Sequence, residues 1–298
     1  MTSPMWNEAP APAYPAAGPL RAAVGIMRLA VLIPVTLASL AGYLALKALA
    51  GLHPALARAI RPARFALSGA WGRTAAWVLG LRVVSVGAPM SQGGAMVANH
   101  SSWTDILVLL AASRVNFVSK AEVRGWPGIG LLARAADTLF IERRRNQAKV
   151  QEQEMLARIA SGQHLLFFPE ATSTDGLRVI PFKTTLFSVF FTPELRDRVW
   201  VQPVSVVYAP APGAGRGPDF YGWWGDMEFG AHLWILLTRS FGGAATVVFH
   251  PAVRAADHAD RKALAAHCDA AVRRGVEQRV GPPPPPAPAA PPAPVAAG

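Results

Sequence analysis

The 298-residue chain has a single cysteine, Cys268, which excludes an intrachain disulfide and any metal site built from several thiolates. The catalytic part is therefore expected in the cytoplasm. Acidic residues are scarce, 18 against 29 lysines and arginines, leaving a formal net charge of +11. No zinc-finger, helix-turn-helix or RNA-recognition spacing accompanies the positives, which are mostly single arginines among apolar residues, so no nucleic-acid partner is expected. Anionic lipid head groups or an acidic carrier protein fit such a basic face equally well. The seven histidines show no metal-ligand spacing with acids, and no metal is expected. There is no internal repeat.

Charge is missing altogether from residues 29–46. As a helix this stretch covers about 27 Å, close to the hydrocarbon thickness of a bilayer. A secretory signal is disfavoured because the apolar run exceeds the usual length of about 7–15 residues; a buried core helix remains an alternative. Lys47, Arg58, Arg61, Arg64 and Arg73 follow the run and Arg21 and Arg28 precede it, which places the downstream side in the cytoplasm. Residues 65–81 are apolar but carry Arg73, Trp71 and Trp77, the composition of a helix at an interface. The two segments either span the membrane or form a hairpin dipped into one leaflet. The first 22 residues, rich in Pro and Ala, read as a disordered leader, 23–81 as membrane-anchoring helices, 82–280 as one catalytic domain, and the Pro/Ala-rich 281–298 as a disordered tail.

From residue 82 onward, short β-branched runs alternate with longer helical patterns. Strands are expected at 82–86, 95–98, 116–119, 138–141, 164–168, 199–208 and 246–250, and helices at 106–112, 146–160 and 257–278. This alternation predicts an α/β domain around a central, mostly buried sheet. Pro203 inside an apolar run reads as marking an edge strand. Trp223, Trp224 and Trp234 read as flanking a loop after the sheet, at a lipid surface or in an aromatic core.

The strand at 95–98 runs into Asn99-His100-Ser101-Ser102-Trp103-Thr104-Asp105, which opens the next helix. Strand ends and helix starts line the crevice where α/β sheets bind ligands. A loop between His100 and Asp105 lets the carboxylate fold back on the imidazole, fix its tautomer and stabilise the imidazolium formed when the other nitrogen takes a proton. No nucleophile elbow accompanies the pair, so a substrate hydroxyl takes the nucleophile's place. Taken alone, a hydrogen-bonded loop histidine explains His100 as well.

Three further blocks change that balance: Phe140-Ile141-Glu142-Arg143, Phe167-Phe168-Pro169-Glu170-Ala171-Thr172, and Val201-Gln202-Pro203-Val204. In order and spacing, from about residue 83 to 207, the four resemble the glycerolipid acyltransferases, the lysophosphatidic acid acyltransferases and their relatives. The resemblance implies a single acyltransferase domain on a membrane anchor, at the cytoplasmic face of a bacterial inner membrane. It also implies a lysolipid acceptor, either 1-acyl-glycerol-3-phosphate or a lyso-ornithine lipid, and acyl-CoA or acyl-carrier protein as co-substrate, with no tightly bound cofactor. It makes His100 the general base and Asp105 its orienting partner, it assigns Arg143, Glu170, Thr172 and Lys183 to substrate binding, and it makes Pro203 a candidate for contact with the acyl chain or the donor.

By composition Arg143 also opens the basic run 143–145, which reads as solvated. A salt bridge is the lesser reading of Glu170, and Lys183 is equally read as the flank of an apolar run. The chain departs from the family's usual Phe-Pro-Glu-Gly-Thr-Arg at Ala171 and Ser173. Thr174-Asp175-Gly176 and Lys120–Arg124 with Gly125-Trp126-Pro127 are similar to the branch that includes lyso-ornithine lipid acyltransferases. A hydrolase, or a non-catalytic lipid-binding protein on the same fold, is the competing reading.

Overall fold

The structure is a computed structural model and describes residues 5–126, 128–142 and 148–283. Two long helices come first, α1 (Pro19–Leu52) and α2 (Pro54–Val78). Pro19 presets the first turn of α1, and Pro54 ends it, because a residue before proline is driven out of the helical region. That residue, His53, is extended and caps α2 by accepting the Ala55 N–H at Nδ1, 3.1 Å away.

The sheet that follows has eight strands: β1 (Leu81–Val86), β2 (Gly94–Ala98), β3 (Asn116–Lys120), β4 (Leu139–Ile141), β5 (His164–Phe167), β6 (Trp200–Ala209), β7 (Gly243–Phe249) and β8 (Val253–Arg254). Their order is β1-β7-β6-β2-β5-β3-β4, with β8 beside β6. From β6 to β4 all neighbours are parallel; β7 runs antiparallel to β6 and carries β1 on its outer side. The helices α3 (Asp105–Ala112), α4 (Ile129–Ala135), α5 (Ala148–Ala160), α6 (Phe229–Arg239) and α7 (Arg261–Val280) complete the layers.

Alternation along the strands sends residues to two cores. Met96, Ala98 and Leu166 join Leu79, Leu109 and Leu236 on one face. Ala95, Val97, Leu165 and Phe167 join Ile159, Phe190 and Cys268 on the other. Both faces are covered, so the strands read as nearly continuous apolar runs, as parallel strands do. On the first face α2 meets α3 backbone to backbone: a Cβ at Gly72 would stand 2.6 Å from the Leu107 carbonyl oxygen.

Helix α1 is long and apolar enough to cross a membrane, and Gly25 is its sole fully buried residue. One side nevertheless lies along the domain. Arg28 donates to the Leu237 and Ser240 carbonyls at the end of α6, at 2.9 and 2.8 Å, and Lys47 pairs with Asp137 together with Arg64. These anchors lie about 28 Å apart on the helix axis. Between them Thr36 accepts the indole N–H of Trp71 at 3.0 Å. The other side exposes Ile26, Met27, Val31, Ile33 and Leu37.

Three expectations are corrected. The leader is not free of the domain: residues 5–18 run over its surface because Trp6 is buried and Tyr14 packs edge-on to Phe220. Where a loop was expected after the sheet there is a helix, α6, which Trp223 and Trp224 precede and which contains Trp234; Trp224 is buried, as in the aromatic-core reading, and Trp234 packs beside Gly25 of α1.

Pro203 is not on an edge, since β6 pairs β2 on one side and β8 and β7 in turn on the other. It sits where β8 gives way to β7, and the neighbouring Gln202 supplies the donor that Pro203 lacks. The Gln202 amide donates to the His250 and Ala88 carbonyls at 2.9 and 3.0 Å and accepts the Met90 N–H at 2.8 Å. Gln202→Ala strands three buried backbone groups and should lower stability by about 2–3 kcal/mol, read as a drop in the unfolding midpoint in detergent with far-UV CD unchanged at low temperature.

Candidate active site

The ends of β2 and β5 are adjacent, with Val97 paired to Phe167. His100 and Glu170 each lie three residues beyond that pair, so they emerge side by side. Asn99 turns the chain out of the sheet: its side-chain amide accepts the Val206 N–H at 2.8 Å and donates to the Val206 carbonyl at 2.9 Å. The side chain thus takes over the pairing that the backbone would have made and releases the next residue into the crevice.

Asp105, fully buried at the start of α3, reaches back over the loop. Its Oδ2 lies 2.7 Å from His100 Nδ1 and accepts the backbone N–H groups of Ser101 and Ser102 at 2.8 and 3.1 Å. Its Oδ1 accepts the Tyr208 hydroxyl at 2.7 Å. Burying a carboxylate is costly unless donors surround it, and four do. Burial, with Asp105 beside it, pushes the Tyr208 phenol well above its ordinary range, so it remains a donor. Thr104 in turn donates to Tyr208 at 3.0 Å. Phe168 stacks on the imidazole, centroid to centroid 4.1 Å and 15° from parallel. With Nδ1 engaged, Nε2 is left to accept a proton, and the His100 side chain keeps 21% of its surface accessible.

The remaining site residues divide. Glu170 is fully buried; its oxygens accept the His100 N–H at 2.7 Å and the Ile180 N–H at 2.9 Å. It therefore holds the backbone of His100. Thr172 is half-buried in the following loop, its hydroxyl 3.4 Å from the Ser173 carbonyl. Lys183 is exposed, and its backbone N–H donates to Pro169, which keeps it beside the Phe-Pro-Glu block. Arg143 lies outside the described residues. Ala171 keeps the left-handed turn with φ +60 that glycine would make without strain.

Sequence reasoning passed over Tyr208 and His232. His232 on α6 accepts the Trp103 indole N–H at Nδ1, 3.0 Å away. Burial lowers its pKa to about 4, which keeps the ring neutral and able to accept. A polar residue at an apolar strand end, and another inside an apolar helix, were the available signals.

The class of protein is an acyltransferase. The acyltransferase family pattern matches residues 83–207, and the chain belongs to that family. Over nearly its whole length it is similar to the lyso-ornithine lipid O-acyltransferase of Rhodobacter capsulatus, 48% identical over 284 residues, covering 94% of this chain and 99% of the relative. It is 35% identical over 117 residues to the 1-acyl-sn-glycerol-3-phosphate acyltransferase of Neisseria gonorrhoeae, covering 39% of this chain and 46% of the relative. The crystal structure of the 1-acyl-sn-glycerophosphate acyltransferase from Thermotoga maritima has the same fold, with a TM-score of 0.61 at 21% identity over 87% of this chain and 97% of that one.

Two outcomes test the site's construction. Ala171→Gly relieves the positive-φ strain and should raise stability by up to about 1 kcal/mol with activity retained, measured by denaturant unfolding. Glu170, pushed up to about 8 chiefly by burial and less by Asp105 and Asp269, against two opposing backbone N–H groups, binds its proton more tightly folded than unfolded, where 4.5 applies. Its contribution is therefore complete below pH 4.5 and is lost as pH rises through 8. The unfolding midpoint of wild type should fall over that window, and Glu170→Gln should abolish this part of the slope. It should also be less stable throughout, because its NH2 must face a backbone N–H.

Proposed function

We propose that the chain transfers a fatty acyl group from acyl-CoA or acyl-carrier protein to the free hydroxyl of a lyso-ornithine lipid. His100 acts as general base and Asp105 orients it. The observation that carries this reading is the 2.7 Å contact between His100 Nδ1 and Asp105, which dedicates one ring nitrogen to the carboxylate and the other to the substrate. His100 Nε2 takes the acceptor's hydroxyl proton as its oxygen attacks the thioester carbonyl. The tetrahedral oxyanion then collapses, the C–S bond breaks, and the imidazolium returns the proton to the leaving thiolate. Asp105 stabilises the imidazolium in between.

The lyso-ornithine acceptor is supported by the near full-length similarity to the Rhodobacter capsulatus enzyme and by Ser173, which replaces the arginine expected next to a phosphate. Arg143, Thr172 and Lys183 are the residues we assign to the acceptor head group, Arg143 through its two-pronged fork. Residues 23–81 are read as the anchor and 82–280 as the catalytic domain. Because Arg28 and Lys47 both bind the domain, we read α1 as lying alongside it with its exposed apolar row in one leaflet. The bacterial inner membrane with the domain on its cytoplasmic side, where thioester donors are made, completes the proposal.

Purified protein in proteoliposomes should consume acyl thioester only when lysolipid is present, and faster with lyso-ornithine lipid than with 1-acyl-glycerol-3-phosphate. Consumption independent of lysolipid would identify a hydrolase instead. His100→Ala should reduce kcat by about 10²–10⁴-fold at unchanged expression; undiminished acylation would sink the mechanism.

A further inference from the structure

We propose that the N-terminal strap, residues 5–18, is a positioning element of the acyl-transfer site, with Trp6 as the wedge that holds the two loops on which the backbone around His100 hangs. The proposal rests on the reading of His100 as the base. Two carbonyls flank the reactive histidine's peptide, and each is bound by a different loop. The His100 carbonyl accepts the Thr174 N–H at 3.0 Å, and the Ser101 carbonyl accepts the Trp223 N–H at 2.8 Å. His100 is thus held by Glu170 at its N–H and by these two loops at the carbonyl side.

Both loops lead to Trp6. In the first, the Asp175 carboxylate accepts the Leu177 N–H at 3.0 Å and pairs with the Arg178 guanidinium, Nη2 to Oδ2, at 3.0 Å. The Arg178 guanidinium lies 5.0 Å from the Trp6 ring centre. In the second, Trp224 meets Trp6 edge-on at 6.0 Å, and its indole N–H donates to the Ala9 carbonyl of the strap at 3.0 Å. Glu8 adds a carboxylate 4.0 Å from Arg178. Further along, Arg239 lies over Tyr14, 5.8 Å from its ring centre, and donates to the Pro15 carbonyl, fastening the strap to the end of α6 before α1 begins.

Trp6 is 5% exposed although its neighbours Met5, Asn7 and Glu8 are exposed, so one ring supplies the burial that orders this segment. Its indole Nε1 meets no acceptor among the described residues. The ring faces, and not the N–H, do the holding, and phenylalanine should serve nearly as well. Trp6 meets the site through the 174–178 and 223–225 loops, so its removal should alter how His100 is aimed more than how substrates bind. A displacement of about 1 Å at a reacting group is enough to cost up to about 10²-fold in rate.

The test uses the full chain in proteoliposomes, with an acyl-carrier thioester and lyso-ornithine lipid. Trp6→Ala should lose about 10-fold or more in kcat, with KM for both substrates within about twofold of wild type, and Trp6→Phe should restore the rate. Wild-type kcat in Trp6→Ala overturns the proposal. So does a loss that merely follows the fraction of folded protein, read by near-UV CD and the unfolding midpoint. Should Trp6→Ala not fold, Arg178→Lys serves, since it retains the charge beside Asp175 and removes the planar face that Trp6 covers; reduced kcat at unchanged KM supports the strap, and unchanged kcat overturns it. His100→Ala, run alongside, separates the two ideas. A dead His100→Ala beside a fully active Trp6→Ala removes only the strap, whereas an active His100→Ala removes the base on which it rests.

Discussion

The carboxylate of Asp105 is the constraint around which the site is built. Taken out of water at the start of α3, it survives because an imidazole, two backbone amides and a tyrosine hydroxyl point at it. Each donor comes from a different requirement of the fold. The amides of Ser101 and Ser102 need the loop to curl, which needs Asn99 to leave the sheet. The hydroxyl of Tyr208 needs β6 to lie beside β2 and to extend past it. The geometry of His100 is the outcome of these demands, and in the proposed role of general base it gains from being held so, because no reorganisation is then left for the moment of proton transfer.

The same loop is held from outside by two quite different buried acids. Asp105 is encircled by donors, while Glu170 has two backbone N–H groups and an environment that pushes its proton affinity up. Two carboxylates near one histidine thus take separate roles, one facing the ring and the other facing the peptide. The aromatic floor of Phe168 completes the setting. Around this centre the protein spends its few polar groups on backbone repair: Gln202 mends the ladder at Pro203, Arg28 caps α6, and Asn99 replaces a strand pair. The basic composition therefore reflects structural arginines as much as an electrostatic surface. Several of the charges that flank the apolar segment, among them Arg28, Lys47, Arg61 and Arg64, are bound to the domain.

Much of this was legible beforehand where the signal was local. β-Branched runs bounded by turn residues marked six of the strands to within one residue, because strands buried on both faces leave no room for polar interruptions; β7 begins three residues before its expected start and the two-residue β8 was not foreseen. The spacing from His100 to Asp105 permitted a loop that folds back, and that loop exists. The readings that failed depended on neighbours distant in sequence. Pro203 passed for an edge marker because nothing local reveals that Gln202 substitutes for its missing donor across 48 residues. The 5–18 segment passed for a disordered leader because its composition is dominated by Pro and Ala, and a single tryptophan carries little weight until its partners at 178 and 224 are known. The partners of Glu170 are likewise out of local sight, because the amides of His100 and Ile180 reach it only through the fold.

The sequence by itself determined the α/β alternation, an apolar segment long enough to cross a membrane, the acyltransferase class through its four ordered blocks, and the departures from the family's usual pattern at Ala171 and Ser173. These are matters of periodicity, composition and short spacing, which act along the chain. Tertiary structure decided which carboxylate faces the imidazole and which the peptide, how α1 lies against the domain, and that Trp6 closes over the loops behind His100. Those outcomes rest on burial and on hydrogen bonds between strands and loops far apart in the chain, and a buried polar group takes its role from whichever donors the fold brings to it.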